Sequence, residues 1–409
     1  MTEVVINELG RQGDGVAPGP IYVPRALPGE QVKGRLEGDV LRDVRILTPS
    51  DRRVSAPCAH FKVCGGCALQ HADNAFTAAW KEDVVRRALA RVGLETEIRP
   101  IRTSPARTRR RAGFAARRTK SGALVGFHGR ASDTIVAVPE CHLLAPTLLA
   151  AVAVIAKLAL VGASRKAVLN AMTTATETGL DVSVSGGKPL DTALRIALSQ
   201  IVRETGLLRL TWNDELVATE SAPKILFDGI ELTLPPGAFL QATAEGETAL
   251  RLAVLEISEN ANRAMDLFAG CGTFSLPLAR SMDVHAVEAA GDMLAALDRG
   301  WRHATGLKTV STETRDLFRR PLLRDEFRGV DVVVIDPPRA GAEAQVVELA
   351  HSGVPRIAHV SCNPQTFARD AETLVRAGYC LDWVQVIDQF RWSPHVELVA
   401  RFSLLHIPR

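Results

Sequence analysis

The C-terminal part of the chain, residues 236–409, alternates short apolar segments with segments of helical character. Five segments have the length and composition of strand cores: Arg263–Phe268, Val284–Glu288, Thr309–Thr312, Asp331–Ile335 and Ile357–Ser361. This alternation predicts a parallel sheet with right-handed crossovers, covered by helices on both faces. The last two strand-like segments, Trp383–Asp388 and Val396–Leu404, are joined by a short loop. They are therefore expected to form a hairpin, so that the final strand of this α/β domain is antiparallel.

The remaining residues predict two further domains. A chain of 409 residues with 46% hydrophobic and 23% charged residues is long enough for two or three domains and too apolar for extended disorder. Residues 2–52 form short β segments separated by glycine and proline turns, a pattern typical of a five-stranded barrel that binds oligonucleotides. A cysteine-rich loop and a helix at Asn74–Val92 follow. We predict an OB-like barrel at 1–52, a mixed α+β central domain at 53–235 and the α/β domain at 236–409.

The N-terminus and the most apolar segment of the chain indicate where in the cell the protein is expected to reside. Residues Met1–Arg11 are polar and lack the apolar core of a signal peptide. The most apolar segment, Leu143–Ala163, is interrupted by Pro146, Lys157 and Gly162, which leaves a run shorter than the ~20 residues that span a bilayer. We therefore expect a buried helix here, a cytoplasmic protein and no membrane partner.

The net charge of +3 is too small to indicate nucleic-acid binding, but the cations are unevenly distributed. Nine of them lie between residues 99 and 120 without an acidic residue: Arg99, Arg102, Arg107, Arg109, Arg110, Arg111, Arg117, Arg118 and Lys120. Such a segment attracts polyphosphate, which favours an RNA-binding surface. A solvated face of ordinary charges is the alternative interpretation.

The seven cysteines are an odd number, which disfavours a disulfide framework and favours metal binding or catalysis. Cys58, Cys64 and Cys67 share one glycine-rich loop, and Cys141 lies 74 residues beyond Cys67. Four thiolates suit zinc or an iron–sulfur cluster, and the spacing does not separate the two. Nearby histidines could also serve zinc: His60, His71 and His142. A chance group of buried thiols is the remaining alternative.

A glycine loop follows the first strand of the α/β domain. Gly270 and Gly272 would let the backbone approach a ligand closely, and Ser275 replaces the third glycine of the dinucleotide fingerprint, which disfavours NAD. Glu288 ends the second strand, where a carboxylate can accept hydrogen bonds from ribose hydroxyls, and Asp316 follows the third strand. These positions predict an adenosine-bearing cofactor, unless the two acids are only surface residues.

Two unusual tetrapeptides follow later strands, at the edge where open parallel sheets bind ligands. Asp336-Pro-Pro-Arg presents a carboxylate from a stiff loop, and Ser361-Cys362-Asn363-Pro364 opens a helix. We expect the positive end of that helix to favour the Cys362 thiolate. An inserted final strand would bring Glu397 and His395 close to Cys362. A buried structural cysteine is the alternative, because cysteine is among the most buried residue types.

These residues together resemble the S-adenosylmethionine-dependent RNA 5-methyluridine methyltransferase family. The resemblance covers nearly the whole chain and is carried by six features: the N-terminal barrel, the cysteine spacing, Phe239-Leu240-Gln241, the glycine loop, Asp336-Pro-Pro-Arg with Ser361-Cys362-Asn363-Pro364-x-Thr366-x-Ala368-Arg369-Asp370, and His395-Val396-Glu397. The Ser-Cys-Asn-Pro element is specific to this family, whereas the glycine loop is shared by all such methyltransferases. Thr273, where asparagine is common, and the loop Arg391–Ser393 depart from the family pattern.

The resemblance implies a Rossmann-like class I methyltransferase domain, a TRAM-like barrel and a function in RNA methylation. It implies that Cys362 is the nucleophile and Glu397 the general base. The residues implied to bind cofactor and uracil are Gln241, Phe268, Gly270, Gly272, Thr273, Glu288, Asp316 and Asp336. It further implies a [4Fe-4S] cluster on Cys58, Cys64, Cys67 and Cys141. Because the members of this family without a metal tend to act on transfer RNA, the cluster implies 23S ribosomal RNA as the partner, with transfer RNA as the alternative. The enzyme is expected to be a monomer.

Two other functions are compatible with parts of the sequence. Asp336-Pro-Pro is similar to the loop of adenine amino methyltransferases, but that chemistry needs no covalent thiol, and Cys362 with Glu397 argues against it. A non-catalytic RNA-binding or redox protein would need only the barrel and the metal cysteines. The presence of each catalytic residue type at its expected strand end disfavours this reading.

Overall fold

The computed structural model describes residues 1–405. Its N-terminal sheet has six strands rather than the predicted five: β1 (Thr2–Val5), β2 (Glu8–Leu9), β3 (Gly15–Ala17), β4 (Ile21–Val23), β5 (Gln31–Glu37) and β6 (Val40–Thr48). The strands are arranged in the order β1-β5-β6-β4-β3-β2 around a small apolar core that includes Ile6, Val23 and Leu41. Strand β4 pairs antiparallel with β3 and, through the residue pair Tyr22 and Val40, parallel with β6.

A loop at residues 53–73, here called the cysteine loop, leads into helix α1 (Asn74–Ala90) and strand β7 (Glu97–Thr103). Asp73 caps the helix by accepting a hydrogen bond from the Phe76 amide at 2.7 Å. The fully buried Lys81 donates to Asp388, at 2.6 Å, and thereby fixes the helix to the C-terminal sheet. Because both partners are buried, loss of either would leave an uncompensated charge.

The central sheet contains strands from residues 111–219 and is packed against two helices. The elements are β8 (Arg111–Arg118), β9 (Ala123–His128), β10 (Ile135–Ala137), α2 (Pro146–Gly162), β11 (Leu169–Ala175), β12 (Leu180–Ser185), α3 (Thr192–Thr205), β13 (Arg209–Trp212) and β14 (Glu215–Thr219). The strand order is β10-β9-β8-β11-β12-β13-β14, with only the β12–β13 pair parallel. Helix α2 is buried against this sheet, and no helix within residues 1–405 is long and apolar enough to cross a membrane.

The C-terminal part begins with a hairpin and continues with alternating strands and helices. The elements are β15 (Lys224–Phe227), β16 (Ile230–Thr233), α4 (Ala244–Ile257), β17 (Arg263–Leu267), α5 (Ser275–Leu278), β18 (Asp283–Glu288), α6 (Gly291–His303), β19 (Val310–Thr314), β20 (Val332–Ile335), α7 (Glu343–Ala350), β21 (Arg356–Ser361), α8 (Pro364–Arg376), β22 (Tyr379–Asp388) and β23 (Glu397–Leu404). A short 3₁₀ helix, Arg324–Phe327, lies between β19 and β20.

The order of the large sheet, β19-β18-β17-β20-β21-β23-β22-β7, confirms the predicted α/β fold class. Strands β17 to β21 are mutually parallel, and β23 is inserted antiparallel between β21 and β22. Strand β7 adds an eighth, parallel strand beside β22. The division into three domains stays a prediction, since β7 comes from the segment expected to be central yet completes this sheet.

The basic segment does not form one continuous face. Arg99, on β7, pairs with Glu256 at 2.9 Å and stacks on Trp383, whereas Arg110 forms an ion pair with the buried Glu247. Arg111 lies against Phe239 in the direction of the C-terminal domain. Arg110 and Arg111 thus connect the central sheet with the C-terminal part, and the RNA-binding surface expected from the nine cations stays a prediction.

Candidate active site

The glycine loop lies at the carboxyl end of β17, the central position of the parallel strands. Gly270 and Gly272 both have positive φ, +55° and +90°, and a side chain at Gly270 would meet no atom within 4 Å. The loop is anchored by Glu288, whose carboxylate accepts from the Gly270 amide at 3.1 Å and from the Ala289 amide at 2.7 Å. The backbone at Gly270 is therefore open to a ligand, next to the carboxylate expected to bind ribose.

Phe268 and Asp316 flank this loop on the side of β19. Phe268 has φ +62°, an unusual conformation for a bulky residue, and its ring lies 5.5 Å from the exposed ring of Phe318. Asp316 accepts a hydrogen bond from the Phe318 amide at 3.0 Å, which positions that second ring. Thr273 is partly buried in the same loop. Apolar faces beside carboxylates and free backbone fit an adenosine group. Six of the eight residues predicted to bind cofactor or uracil surround this loop, whereas Gln241 and Asp336 follow other elements.

Cys362 follows β21 at the same edge and is partly buried. The next residue, Asn363, caps α8 by accepting from the Gln365 amide at 3.1 Å, and it donates to the Arg339 carbonyl at 3.0 Å. Asp370, on α8, accepts from the Ala342 amide at 3.2 Å. These bonds fix the Cys362 turn to the Asp336-Pro-Pro-Arg loop.

Glu397, at the start of β23, is brought to this edge by the insertion of that strand, as predicted. Its side chain is 4% exposed and accepts a hydrogen bond from Gln389 at 3.1 Å. Gln389 also donates to the buried Gln241 at 2.5 Å and accepts from the Ala242 amide at 2.9 Å. Gln389 therefore connects the residue predicted to be the base with a residue predicted to bind cofactor or uracil.

Asp336 and Arg339 complete the group of charges around Cys362. Asp336 is partly exposed at the end of β20, and burial by the surrounding protein, followed by the carboxyls of Glu397 and Asp266, raises its pKa well above the usual value. Arg339 donates to Nδ1 of His395 at 2.8 Å. Burial raises the pKa values of Cys362 and Glu397 and lowers that of His395; the positive charge of Arg339 opposes burial at the first two groups and adds to it at His395.

The protonation of the two candidate catalytic groups differs from what the helix terminus alone suggests. Burial, followed by the carboxyls of Glu397 and Asp336, raises the pKa of Cys362 to about 11. Burial likewise raises the pKa of Glu397 to about 7. Desolvation and two neighbouring acids therefore oppose the thiolate that the α8 N-terminus is expected to favour.

The cysteine loop lies next to the β9–β10 turn, where the backbone of Cys64 forms an isolated β-bridge with the backbone of Gly129. The thiols of Cys58 and Cys141 are near enough to raise the pKa values of Cys64 and Cys67, of which Cys67 reaches about 12, mainly through burial. Within residues 1–405, however, no three His, Cys, Asp or Glu side chains are placed to hold a metal ion. The four-thiolate site expected from the spacing stays a prediction. Cys64 accepts a hydrogen bond from the Gly66 amide, and Arg109 is partly buried beside Cys67 and Cys141.

Known proteins resemble this chain over nearly its whole length. A pairwise structural match to a Pyrococcus abyssi tRNA (uracil-54, C5)-methyltransferase bound to S-adenosyl-L-homocysteine has a TM-score of 0.77 at 24% identity, over 98% of this chain and 99% of the other. The protein therefore has the fold of the class I S-adenosylmethionine-dependent methyltransferases.

The sequence relatives define the family more closely. Residues 303–402 match the family described as tRNA (Uracil-5-)-methyltransferase. An uncharacterized RNA methyltransferase of Rhizobium meliloti is 44% identical, with 97% of this chain and 98% of the relative aligned. The 23S rRNA (uracil(1939)-C(5))-methyltransferase of Edwardsiella ictaluri is 31% identical, with 98% and 95% aligned. The chain belongs to the S-adenosylmethionine-dependent RNA uracil-5 methyltransferase family.

Two residues of the site were not predicted from the sequence. Gln389 comes directly after β22 and before the His395-Val396-Glu397 element, but a lone glutamine at a strand end carries no distinctive pattern. Arg339 belongs to a tetrapeptide that was recognised for its aspartate alone. Its position facing both Cys362 and His395 depends on the Asn363–Arg339 bond, a contact between segments 24 residues apart.

Proposed function

We propose that this RNA uracil-5 methyltransferase modifies a uridine of 23S ribosomal RNA through a covalent bond to Cys362. The observation that carries the mechanism is the convergence of Cys362, Glu397 and Asp336 at one sheet edge, beside Gln241 and the glycine loop. The uracil must leave its stack, or come from a loop, to reach Cys362.

The chemistry requires a nucleophile, because carbon 5 of uracil is too weakly nucleophilic to accept a methyl group unaided. The Cys362 thiolate adds to carbon 6, and the electron pair of the 5,6 double bond moves to carbon 5. S-adenosylmethionine, when bound, would supply an electrophilic methyl group, and its sulfur would keep the electrons of the broken sulfur–methyl bond and leave as a neutral thioether. After carbon 5 has formed its bond to the methyl, Glu397 removes the proton from carbon 5, and the electrons left behind restore the double bond while the carbon–sulfur bond breaks.

The neighbours of the two groups suit these steps. The pKa of Glu397, about 7, lets the carboxylate take a proton at neutral pH and release it afterwards. The resting thiol must lose its proton as the substrate binds, and the Arg339 charge favours the thiolate. Gln389 holds one oxygen of Glu397, so the other oxygen remains available for the proton.

Ribosomal RNA is favoured over transfer RNA as the substrate by the cysteine spacing, since the resemblance associates that spacing with ribosomal enzymes. The relative from Edwardsiella ictaluri, which aligns over nearly its whole length, is named for 23S rRNA. Transfer RNA is the second candidate, because the family matched at residues 303–402 is named for it.

We expect ribosomal RNA from cells that lack this protein to lose 5-methyluridine at one position of 23S rRNA and to regain it on complementation. Mass spectrometry of nuclease fragments from ribosomal and transfer RNA measures this directly. Complementation with Cys362→Ala is the matched control and should not restore the modification. Loss of 5-methyluridine in transfer RNA alone would reassign the substrate, and no loss in either RNA would contradict the proposed function.

We also propose that Cys58, Cys64, Cys67 and Cys141 hold a structural [4Fe-4S] cluster. The four thiols are close enough to act on one another's pKa values, and Cys67 and Cys141 line the same cavity, which supports this proposal. Methyl transfer from a sulfonium moves no net electrons, so no catalytic step is assigned to the cluster.

We expect anaerobically purified protein to be brown, with broad absorption near ~400 nm and about four irons per chain. Cys141→Ala should lose the iron and unfold at lower temperature, whereas Cys380→Ala, at a partly exposed cysteine on β22, should lose neither. Iron and zinc analysis together with thermal unfolding checks this prediction. One zinc and no iron per chain would contradict the cluster and leave the methyltransferase function intact.

A further inference from the structure

A cavity of about 1030 Å³ lies between the N-terminal sheet, the cysteine loop and the β9–β10 turn. Its walls include Val44 and Ile46 from β6, Phe61 and His71 from the cysteine loop, and Arg130 from the turn. This volume is at the upper end of the range of small-molecule sites, so a nucleotide would fit. None of these residues belongs to the candidate active site.

His71 is the unusual residue of this cavity. Its side chain is 3% exposed, and neither ring nitrogen has a hydrogen-bond partner within residues 1–405. The ring stacks on Phe61, with centroids 5.6 Å apart and planes 30° apart. Burial and the charge of Arg53 lower the pKa of His71 to about 4, so at neutral pH the ring has one donor and one acceptor.

Buried polar groups without partners are rare, and each one found calls for an explanation. The two ring nitrogens lie on opposite edges of the imidazole, so one base can pair with only one of them, and the edge of a nucleobase offers both a donor and an acceptor for whichever nitrogen turns toward the cavity. A phosphate alone could satisfy only the donor. The neutral ring therefore favours a base over a simple anion.

The cations around the cavity favour the backbone of a nucleic acid. Arg25, Lys62 and Arg130 line it, and Arg130 is paired with Asp14. Within residues 1–405, no carboxylate lies within ion-pair distance of Arg25 or Lys62, although Arg25 donates to the Lys62 carbonyl at 3.0 Å. Lys62 is exposed at the rim. Phosphate groups would find two free cations beside the aromatic wall.

This cavity shares a wall residue with a second cavity that reaches the active-site edge. Arg130 lines a second cavity of about 440 Å³ that includes Cys67, Arg109 and His395. His395 is the residue that Arg339 contacts beside Cys362 and Glu397. A single strand that places one nucleotide at Cys362 could therefore extend past Arg109 and Arg130 toward His71.

We propose that the cavity at His71 binds one unpaired nucleotide of the substrate RNA, other than the target uridine, with its base on His71 and its phosphates on Arg25 and Lys62. This inference rests on the proposed function, because it supplies a second contact for the same RNA. It assigns to the N-terminal sheet and the cysteine loop a part in selecting the sequence around the target.

Binding of a fluorescein-labelled 15-nucleotide oligouridylate, measured by anisotropy at several salt concentrations, tests the phosphate contacts. We expect Lys62→Ala to raise Kd about three- to tenfold and to lower the salt slope by ~0.7, the value for one lost contact with a single strand. The matched control is Arg45→Ala, which removes an exposed cation from β6 that does not line the cavity and should change Kd less than about twofold. Equal weakening by both variants would overturn the site.

The base contact is tested with His71→Leu, which keeps the size of the side chain and removes both nitrogens. Wild-type protein should bind the oligouridylate at least about threefold more tightly than the same chain with alternate abasic positions, and His71→Leu should lose that preference. An unchanged preference in a folded variant would overturn the base contact. If the variant does not fold, 4-thiouridine cross-linking of the wild type decides: adducts at residues 61–71 or 129–136 support the site, and their absence overturns it.

These measurements do not depend on methyl transfer. If the wild type binds RNA at His71 but methylates no uracil, the proposed function fails and the cavity assignment stands. If it methylates uracil but neither Lys62→Ala nor His71→Leu changes binding, the cavity assignment fails alone.

Discussion

Cys362→Ala should abolish methyl transfer, with a loss on the order of 10⁴-fold or more, while the affinity for S-adenosylmethionine changes less than about twofold. Methyl transfer and cofactor affinity should respond differently because Cys362 lies at the end of β21, whereas the glycine loop and Glu288 lie at the ends of other strands. The thiol acts on the base, and no other nucleophile is proposed at this edge. Tritium-methyl transfer to RNA and isothermal titration with the cofactor measure the two properties.

Cys271 provides the matched control for this prediction. It is a buried cysteine within the glycine loop itself, and Cys271→Ala should retain turnover if cysteine chemistry at Cys362 is what matters. Cys362→Ser tests the nucleophile more narrowly, because a hydroxyl of similar size is a much weaker nucleophile at neutral pH. Normal turnover in either Cys362 variant would remove the covalent mechanism.

The alternation of strands and helices was sufficient to predict the C-terminal sheet. Buried strands such as Val332–Ile335 are continuous apolar runs, and the short Ser393–Pro394 connection indicated the antiparallel last strand. Strand β7 was missed, because Glu97–Thr103 is rich in charge and contains a proline. Its pairing with β22 links segments nearly 290 residues apart, a distance at which local patterns carry no information.

The active-site residues were predicted mainly by motif, and their surroundings were not. The sequence places Cys362 before a helix, which suggests a thiolate, but the pKa depends on the carboxyls of Asp336 and Glu397 that other strands bring close. In the same way, Gln389 gains its position between Gln241 and Glu397 only through the insertion of β23. Electrostatics and hydrogen bonding across strands are tertiary properties, so a linear motif cannot specify them.

Glu397→Gln should slow release of the product much more than attack, so that a covalent RNA adduct through Cys362 accumulates. Proton removal from carbon 5 follows methylation and precedes elimination of the thiol, and glutamine cannot accept that proton. Glutamine has the size of glutamate, so it fits a position where the side chain is 4% exposed. Its amide oxygen can still accept the hydrogen bond that Gln389 donates to Glu397. Denaturing gels of enzyme mixed with substrate RNA should show a retarded band that the wild type clears.

The titration of Glu397 sharpens this test. Its pKa of about 7 is raised by burial, so the carboxylate form is lost as the pH falls through 7. Release of the adduct by the wild type should therefore become slower below pH 7, and this dependence should disappear in Glu397→Gln. His395→Ala is the control, because His395 shares the loop but contacts Arg339 instead of Gln389. An adduct that accumulates in His395→Ala and not in Glu397→Gln would reassign the base to His395.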